Sequence, residues 1–226
     1  LNYQIHNAID QGDFEAAEDY LDQIIDHNLP EYTYCRAEIW IAQDEIEKAD
    51  EYLLQEFDEC PSDECQDYVL DVVNLYTDYG YNEKAMEWMM RARHDDTDDF
   101  KELMGRTLFG LGKYDDSERI FNELIDRDTF QKRYWNALAN TQFMKEDYSA
   151  SVTSSEYAIA IDPDDSEGIL AKANALYRLD NYEDALTYFE KYSEAEPDDE
   201  FGLLNRGTCL INLGRYEEAI EQLEKA

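Results

Sequence analysis

Apolar and small residues return along this chain with a period of 34. Tyr114, Tyr148, Tyr182 and Tyr216 are spaced 34 residues apart, and each is followed three residues later by a small side chain: Ser117, Ser151, Ala185 and Ala219. Ala85, Ala49 and Ala17 continue that small column upstream at spacings of 32, 36 and 32. Self-similarity at such a fixed period is the signature of a stacked repeat. A second small column runs through Ala37, Val73, Gly105, Ala139, Ala173 and Gly207. Small residues let two helix axes approach to roughly 8–10 Å, so these columns predict the crossings within and between helical pairs. Trp40, Tyr76, Leu108, Leu176 and Leu210 on first helices, with Leu53, Met89, Phe121, Phe189 and Leu223 on second ones, are the predicted core.

Breakers punctuate the pattern between those positions. Gly12, Gly80, Gly112 and Gly214 fall at the expected turn within a hairpin, and Pro61, Pro163 and Pro197 follow second helices. Glycine takes the left-handed cap that ends a helix, and proline cannot continue one. Acidic residues after Pro163 and Pro197 suit the positive end of the next helix. The reading is helix, turn, helix, repeated: an all-α, right-handed superhelical solenoid of about seven hairpins. Their expected bounds are 1–29, 30–65, 66–97, 98–131, 132–165, 166–199 and 200–226, within one array that is expected to be part of a longer chain.

Charge narrows the choice of partner. The 226 residues carry 19 Lys+Arg against 55 Asp+Glu, a net charge of −36. Such a chain repels a phosphate backbone, which excludes the usual electrostatic route to nucleic acid. With 43% hydrophobic residues and 18 tyrosines it has the apolar surface to fold. Cys35, Cys60, Cys65 and Cys209 make no disulfide framework and no sequon is present, which fits a reducing, cytoplasmic compartment. No apolar run reaches the ~20 residues of a membrane span. Cys60 and Cys65 lack the second ligand pair of a zinc site.

Leu-Gly-Arg-Tyr-Glu-Glu-Ala-Ile at 213–220 and Asn-Tyr-Glu-Asp-Ala-Leu at 181–186, with Asp-Pro or Glu-Pro after a helix, resemble the tetratricopeptide repeat family. The resemblance spans essentially the whole chain and is closest from Asp98 onward. Asn82 and Ile46 depart from the aromatic position, and Ser155 stands where other second helices carry a large apolar residue. Pentatricopeptide repeats are similar in length but resemble RNA readers, against the charge. Sel1-like repeats have longer, more variable spacing.

The resemblance implies a non-catalytic scaffold whose first helices line a concave face that holds a protein or peptide. On that frame the first four hairpins present Asp10, Glu31, Glu38, Asp67, Asp78, Asp99 and Glu102 with Arg106 opposing them. The last three present Arg133, Asn136, Asn140, Phe143, Asn174, Tyr177, Arg178, Phe201 and Ile211, with Glu167. Net charge is −21 over residues 1–97 and −15 over the remainder, so one end suits a basic segment while the C-terminal three hairpins suit a peptide backbone and are the expected main grip. Asn74, Asn140 and Asn174 share one column with Arg106, as a ladder of amides able to donate and accept along an extended peptide. Phe109, Phe143 and Tyr177 form an aromatic column beside it.

The carboxylate clamp of cochaperone members is excluded, because Asn136, Phe201 and Asn205 fall where its cations belong and Ala171 where its second Asn belongs. Neither the scattered His6, His27 and His94 nor the phosphate-loop-like Gly105–Lys113 supports catalysis. Asp95–Asp99 lacks a calcium-loop pattern, and no cofactor or metal is expected. The alternatives are self-association through the C-terminal hairpin and a recognition array attached to a larger enzyme.

Overall fold

The computed structural model describes residues 1–24, 30–60, 65–92, 96–197 and 199–223. Pro61, Asp95, Ala226 and the side chain of Leu223 lie outside that set. The described residues form fourteen α-helices and no strand, in two compact units, Leu1–Leu111 and Gly112–Ala226.

The first unit holds α1 (Asn2–Asp10), α2 (Phe14–Leu21), α3 (Pro30–Ala42), α4 (Ile46–Glu59), α5 (Cys65–Asp78), α6 (Asn82–Met89) and α7 (Asp98–Gly110). Each of α1, α3 and α5 pairs with the helix after it, and each of α2, α4 and α6 also touches the next first helix. First helices form a continuous layer, α1 on α3, α3 on α5 and α5 on α7. Ala17, Ala49, Ala85, Ala37 and Val73 are all fully buried, so both small columns sit at helix crossings. Two apolar clusters fill the spaces beside them, one around Ile5, Leu21 and Ile39 and one around Leu53, Tyr76 and Trp88.

The second unit holds α8 (Tyr114–Arg127), α9 (Lys132–Met144), α10 (Tyr148–Ile161), α11 (Ser166–Arg178), α12 (Tyr182–Ala195), α13 (Glu200–Asn212) and α14 (Tyr216–Leu223), packed in the same alternation. Ala173, Ala185, Phe189, Leu210 and Ala219 belong to an apolar cluster in it, and Phe121, Leu124 and Leu138 are buried on α8 and α9. Polar side chains occupy core columns of α9 and α10. Gln142 is buried in the column of Trp40, Tyr76 and Leu108, and Ser155 in that of Leu53, Met89 and Phe121. They are satisfied locally: Ser154 Oγ donates to Gln142 Oε1 at 2.7 Å, Gln142 Nε2 to Glu118 Oε1 at 3.2 Å, and Ser155 Oγ to the Ser151 carbonyl at 2.8 Å. Burial without these partners would cost about 1–3 kcal/mol per group.

Every intra-hairpin turn carries a left-handed residue, including the three turns without glycine. Gly12, Gly80, Gly112 and Gly214 have φ of 70–78°, and Asp44, Glu146 and Asp180 have φ of 64°, 64° and 59° in the equivalent places. At Gly12 the Asp13 N–H donates to the Ala8 carbonyl and the Gly12 N–H to Ile9, a paired closure of the helix end that requires this conformation. Glu146 closes its turn identically, with Asp147 N–H on Gln142 and Glu146 N–H on Phe143. Asp44 and Asp180 accept hydrogen bonds from Tyr81 and Tyr182; for exposed Glu146 the conformation is the dominant effect. Removing the ~1–2 kcal/mol Cβ penalty, less the entropy glycine adds to the unfolded chain, Glu146→Gly is expected to stabilise the protein by about 0.5–1 kcal/mol. Urea denaturation followed by circular dichroism measures it, and a lowered midpoint would refute the strain.

Candidate protein-binding groove

The α5 sequence places Asp67, Asp71, Asn74 and Asp78 four, three and four residues apart, one stripe of a helix. That stripe lies between two open pockets of the first unit. One, about 390 Å³, is lined by Asp67, Leu70, Asp71 and Asn74 of α5 and by Asp99, Glu102, Leu103 and Arg106 of α7. The other, about 460 Å³, is lined by His6 of α1, by Pro30, Glu31, Tyr34 and Glu38 of α3, and by Asp71, Asn74, Leu75 and Asp78 of α5. Sharing Asp71 and Asn74, they make one acidic groove with apolar floor residues across four consecutive first helices. Asp71 was absent from the residues anticipated above, although its place in the α5 stripe could have revealed it.

Few cations face these carboxylates. Arg106 reaches Asp78 at 2.5 Å and donates to Asn74 Oδ1 at 3.0 Å, while Asn74 Nδ2 donates to Asp78 at 3.1 Å. His6 Nδ1 lies 2.8 Å from Glu38, whose other oxygen accepts from the Tyr79 hydroxyl at 3.1 Å. Burial raises the Glu38 carboxyl above its ordinary value despite His6 and Tyr79. Asp71 is raised as well, by burial and by the charge of Asp67, against the hydrogen bond from Tyr34. A carboxyl held high by burial and like charge is relieved by an incoming cation.

In the second unit α9 touches α11, the first-helix layer again. Asn136, expected on the groove surface, is 2% exposed. Its amide donates to Asp165 at 2.8 Å and Glu167 at 3.2 Å, so it ties α9 to the start of α11 and presents no free face to a ligand. Asp165 caps α11 through the Gly168 N–H, and a Cβ on Gly168 would stand 2.7 Å from that carboxylate, which is why glycine is needed there. Asn140 is half-buried and donates to Glu167 at 3.2 Å; Asn174 is half-buried without such a tie among the described residues. The amide column is thus engaged within the protein at Asn74 and Asn140.

The aromatic column packs against the tyrosines that open second helices, Phe143 on Tyr148 and Tyr177 on Tyr182, edge to face. Arg178 lies over Tyr148 at 4.4 Å and Phe143 at 5.6 Å, Arg133 is exposed over the Tyr134 ring, and the Tyr177 hydroxyl accepts from Asn212. Phe109 is half-buried on α7. No helix among the described residues is long and apolar enough to cross a membrane.

Comparison with known proteins agrees with this geometry. The chain resembles solved structures of MamA. MamA 41-end from Desulfovibrio magneticus RS-1 is 16% identical with a TM-score of 0.63, covering 71% of this chain and 92% of that one. MamA MSR-1 is 16% identical with a TM-score of 0.61 over 72% and 94%, and MamA AMB-1 is 17% identical with 0.59 over 73% and 91%. These likenesses establish the fold. No curated protein sequence matches. The tetratricopeptide repeat profile matches residues 4–64, 103–166 and 170–226, most of the chain including both units, and with the paired helices, small columns and left-handed turns it places this protein in the tetratricopeptide repeat family of protein-interaction scaffolds.

Proposed function

We propose that this scaffold holds a basic segment of a partner protein along the first-helix face of residues 1–111. The observation that carries the reading is the pair of pockets joined at Asp71 and Asn74, where seven carboxylates (Glu31, Glu38, Asp67, Asp71, Asp78, Asp99 and Glu102) face Arg106 and His6. Leu70, Leu75, Leu103 and Tyr34 offer apolar contact between the charges, as a peptide-binding groove requires. The chemistry is binding alone, with no acid–base or nucleophilic role assigned to any residue. Asn140, Asn174, Phe143, Tyr177 and Arg178 form a secondary surface for an extended backbone.

Fluorescence anisotropy with a labelled Lys/Arg-rich peptide tests the reading, beside a Glu-rich peptide of equal length. The basic peptide is expected to bind and to weaken as salt rises. Asn140→Ala with Asn174→Ala should leave that binding unchanged if residues 1–111 carry it. Equal binding of both peptides, or loss in the asparagine variant, would contradict the assignment.

A second reading, self-association, is favoured by a different observation. Phe201, Leu204 and Ile211 on α13 and Tyr216 and Ile220 on α14 are each 45–63% exposed. Large apolar residues grouped on one exposed hairpin mark a protein contact. Sedimentation velocity is expected to show a concentration-dependent dimer that Leu204→Glu with Ile220→Glu abolishes; a monomer at all concentrations would dismiss it.

A further inference from the structure

At the α1 end of the groove the fold brings together three side chains of metal-ligating chemistry. His6 comes from α1, and Cys35 and Glu38 stand three residues apart on one face of α3. The His6 imidazole, Cys35 Sγ and Glu38 carboxylate each offer an atom within 4.8 Å of the other two. We propose that these three residues bind a divalent ion of the zinc class, with the fourth position open toward the groove, and that the ion clamps the first hairpin to the second.

The donor set argues for that class. Sulfur, imidazole nitrogen and one carboxylate oxygen suit zinc, at about 2.3, 2.0 and 2.0–2.2 Å, and ill suit calcium or magnesium, which take oxygen donors. Those bond lengths need the donors somewhat nearer than 4.8 Å. His6, with its side chain 52% exposed, has room to close the gap, while Cys35 (3% exposed) and Glu38 (15%) are held by the core. The support expected around a ligand is present: the Tyr79 hydroxyl holds the second Glu38 oxygen at 3.1 Å. Glu31 and Asp78 line the same pocket and raise the local cation concentration. The 28 residues between His6 and Cys35 match no ligand spacing, so only folding reveals the set. The site shares His6 and Glu38 with the acidic groove, but its test needs no peptide, so either can fail without the other.

Cobalt(II) titration of the full chain, read by absorbance, tests it, because a thiolate on cobalt gives a near-ultraviolet charge-transfer band. The wild type and Cys60→Ser with Cys65→Ser are expected to show the band, with zinc displacing cobalt and erasing it. Cys35→Ser should lack it. His6→Ala, at an exposed position that keeps helicity, should bind at least tenfold more weakly, and Tyr79→Phe about tenfold more weakly. No band in the wild type, a band that survives Cys35→Ser, or unchanged affinity in His6→Ala with helicity intact would overturn the site.

Discussion

Asp50→Ala is expected to destabilise the first unit by about 3 kcal/mol, the largest single-residue effect outside the apolar core. Asp50 on α4 has a side chain only 14% exposed, and three groups from the next hairpin converge on it. Trp88 Nε1 donates to Oδ1 at 2.7 Å, the Tyr76 hydroxyl to the same oxygen at 3.3 Å, and Lys84 to Oδ2 at 2.9 Å. Trp88 and Tyr76 are fully buried, so alanine leaves two donors without water or partner and a half-buried ammonium without its counter-charge. Asp50→Asn keeps an acceptor for Trp88 and should lose about half as much. Burial alone would raise the Asp50 carboxyl; the bonds from Lys84 and Trp88, the Lys84 charge and the Tyr76 hydroxyl outweigh it and hold the group below its ordinary value. A lowered folded value means that its contribution is complete above the unfolded value of 3.8 and is lost as pH falls through the folded one. The gap between wild type and Asp50→Ala should therefore be full at neutral pH and close in acid. Urea titrations across that range measure it, and a gap that widens on acidification would refute the assignment.

Asp71→Lys combined with Glu102→Lys is expected to weaken binding of a Lys/Arg-rich peptide about 30-fold while leaving helicity unchanged. Asp71 reaches solvent although the surrounding helices partly desolvate its carboxylate, and it is shared by both pockets, while Glu102 lines the α7 side of one. Each reversal replaces an attraction worth about 0.5 kcal/mol with a repulsion of similar size; about 2 kcal/mol over the pair corresponds to that factor. Raising the salt should shrink the difference, because exposed charges are screened over about 10 Å at 0.1 M. Affinity that is unchanged, or a difference that persists at high salt, would argue that the groove does not act through its charge.

Periodicity made the repeat visible because equivalent positions face equivalent neighbours. Both small columns are buried, and the four turn glycines have the left-handed conformation. The same logic missed Asp44, Glu146 and Asp180, which occupy the identical turn conformation without glycine, since the backbone demand there is met at an energetic cost that no composition signal marks. It also could not separate a surface asparagine from a structural one. Asn136 and Asn140 are one helical turn apart, yet Asp165, 29 residues after Asn136, draws only the first into the interior. Contacts between repeats, such as Asp50 with Trp88 or His6 with Glu38, pair non-equivalent positions and leave no period to read. The acidic character of the N-terminal first helices was legible, residue by residue; that those acids gather around Asp71 into connected pockets required the helices to be packed.

The most direct test of the account is where a bound partner touches the protein. A Lys/Arg-rich peptide carrying a photo-crosslinker, irradiated on the full chain and mapped by mass spectrometry, is predicted to label α3, α5 and α7, at or beside Tyr34, Leu70, Leu75 and Leu103. Crosslinks confined to α4 and α6, or to residues 112–223, would contradict the proposal that this scaffold binds through the first-helix face of residues 1–111.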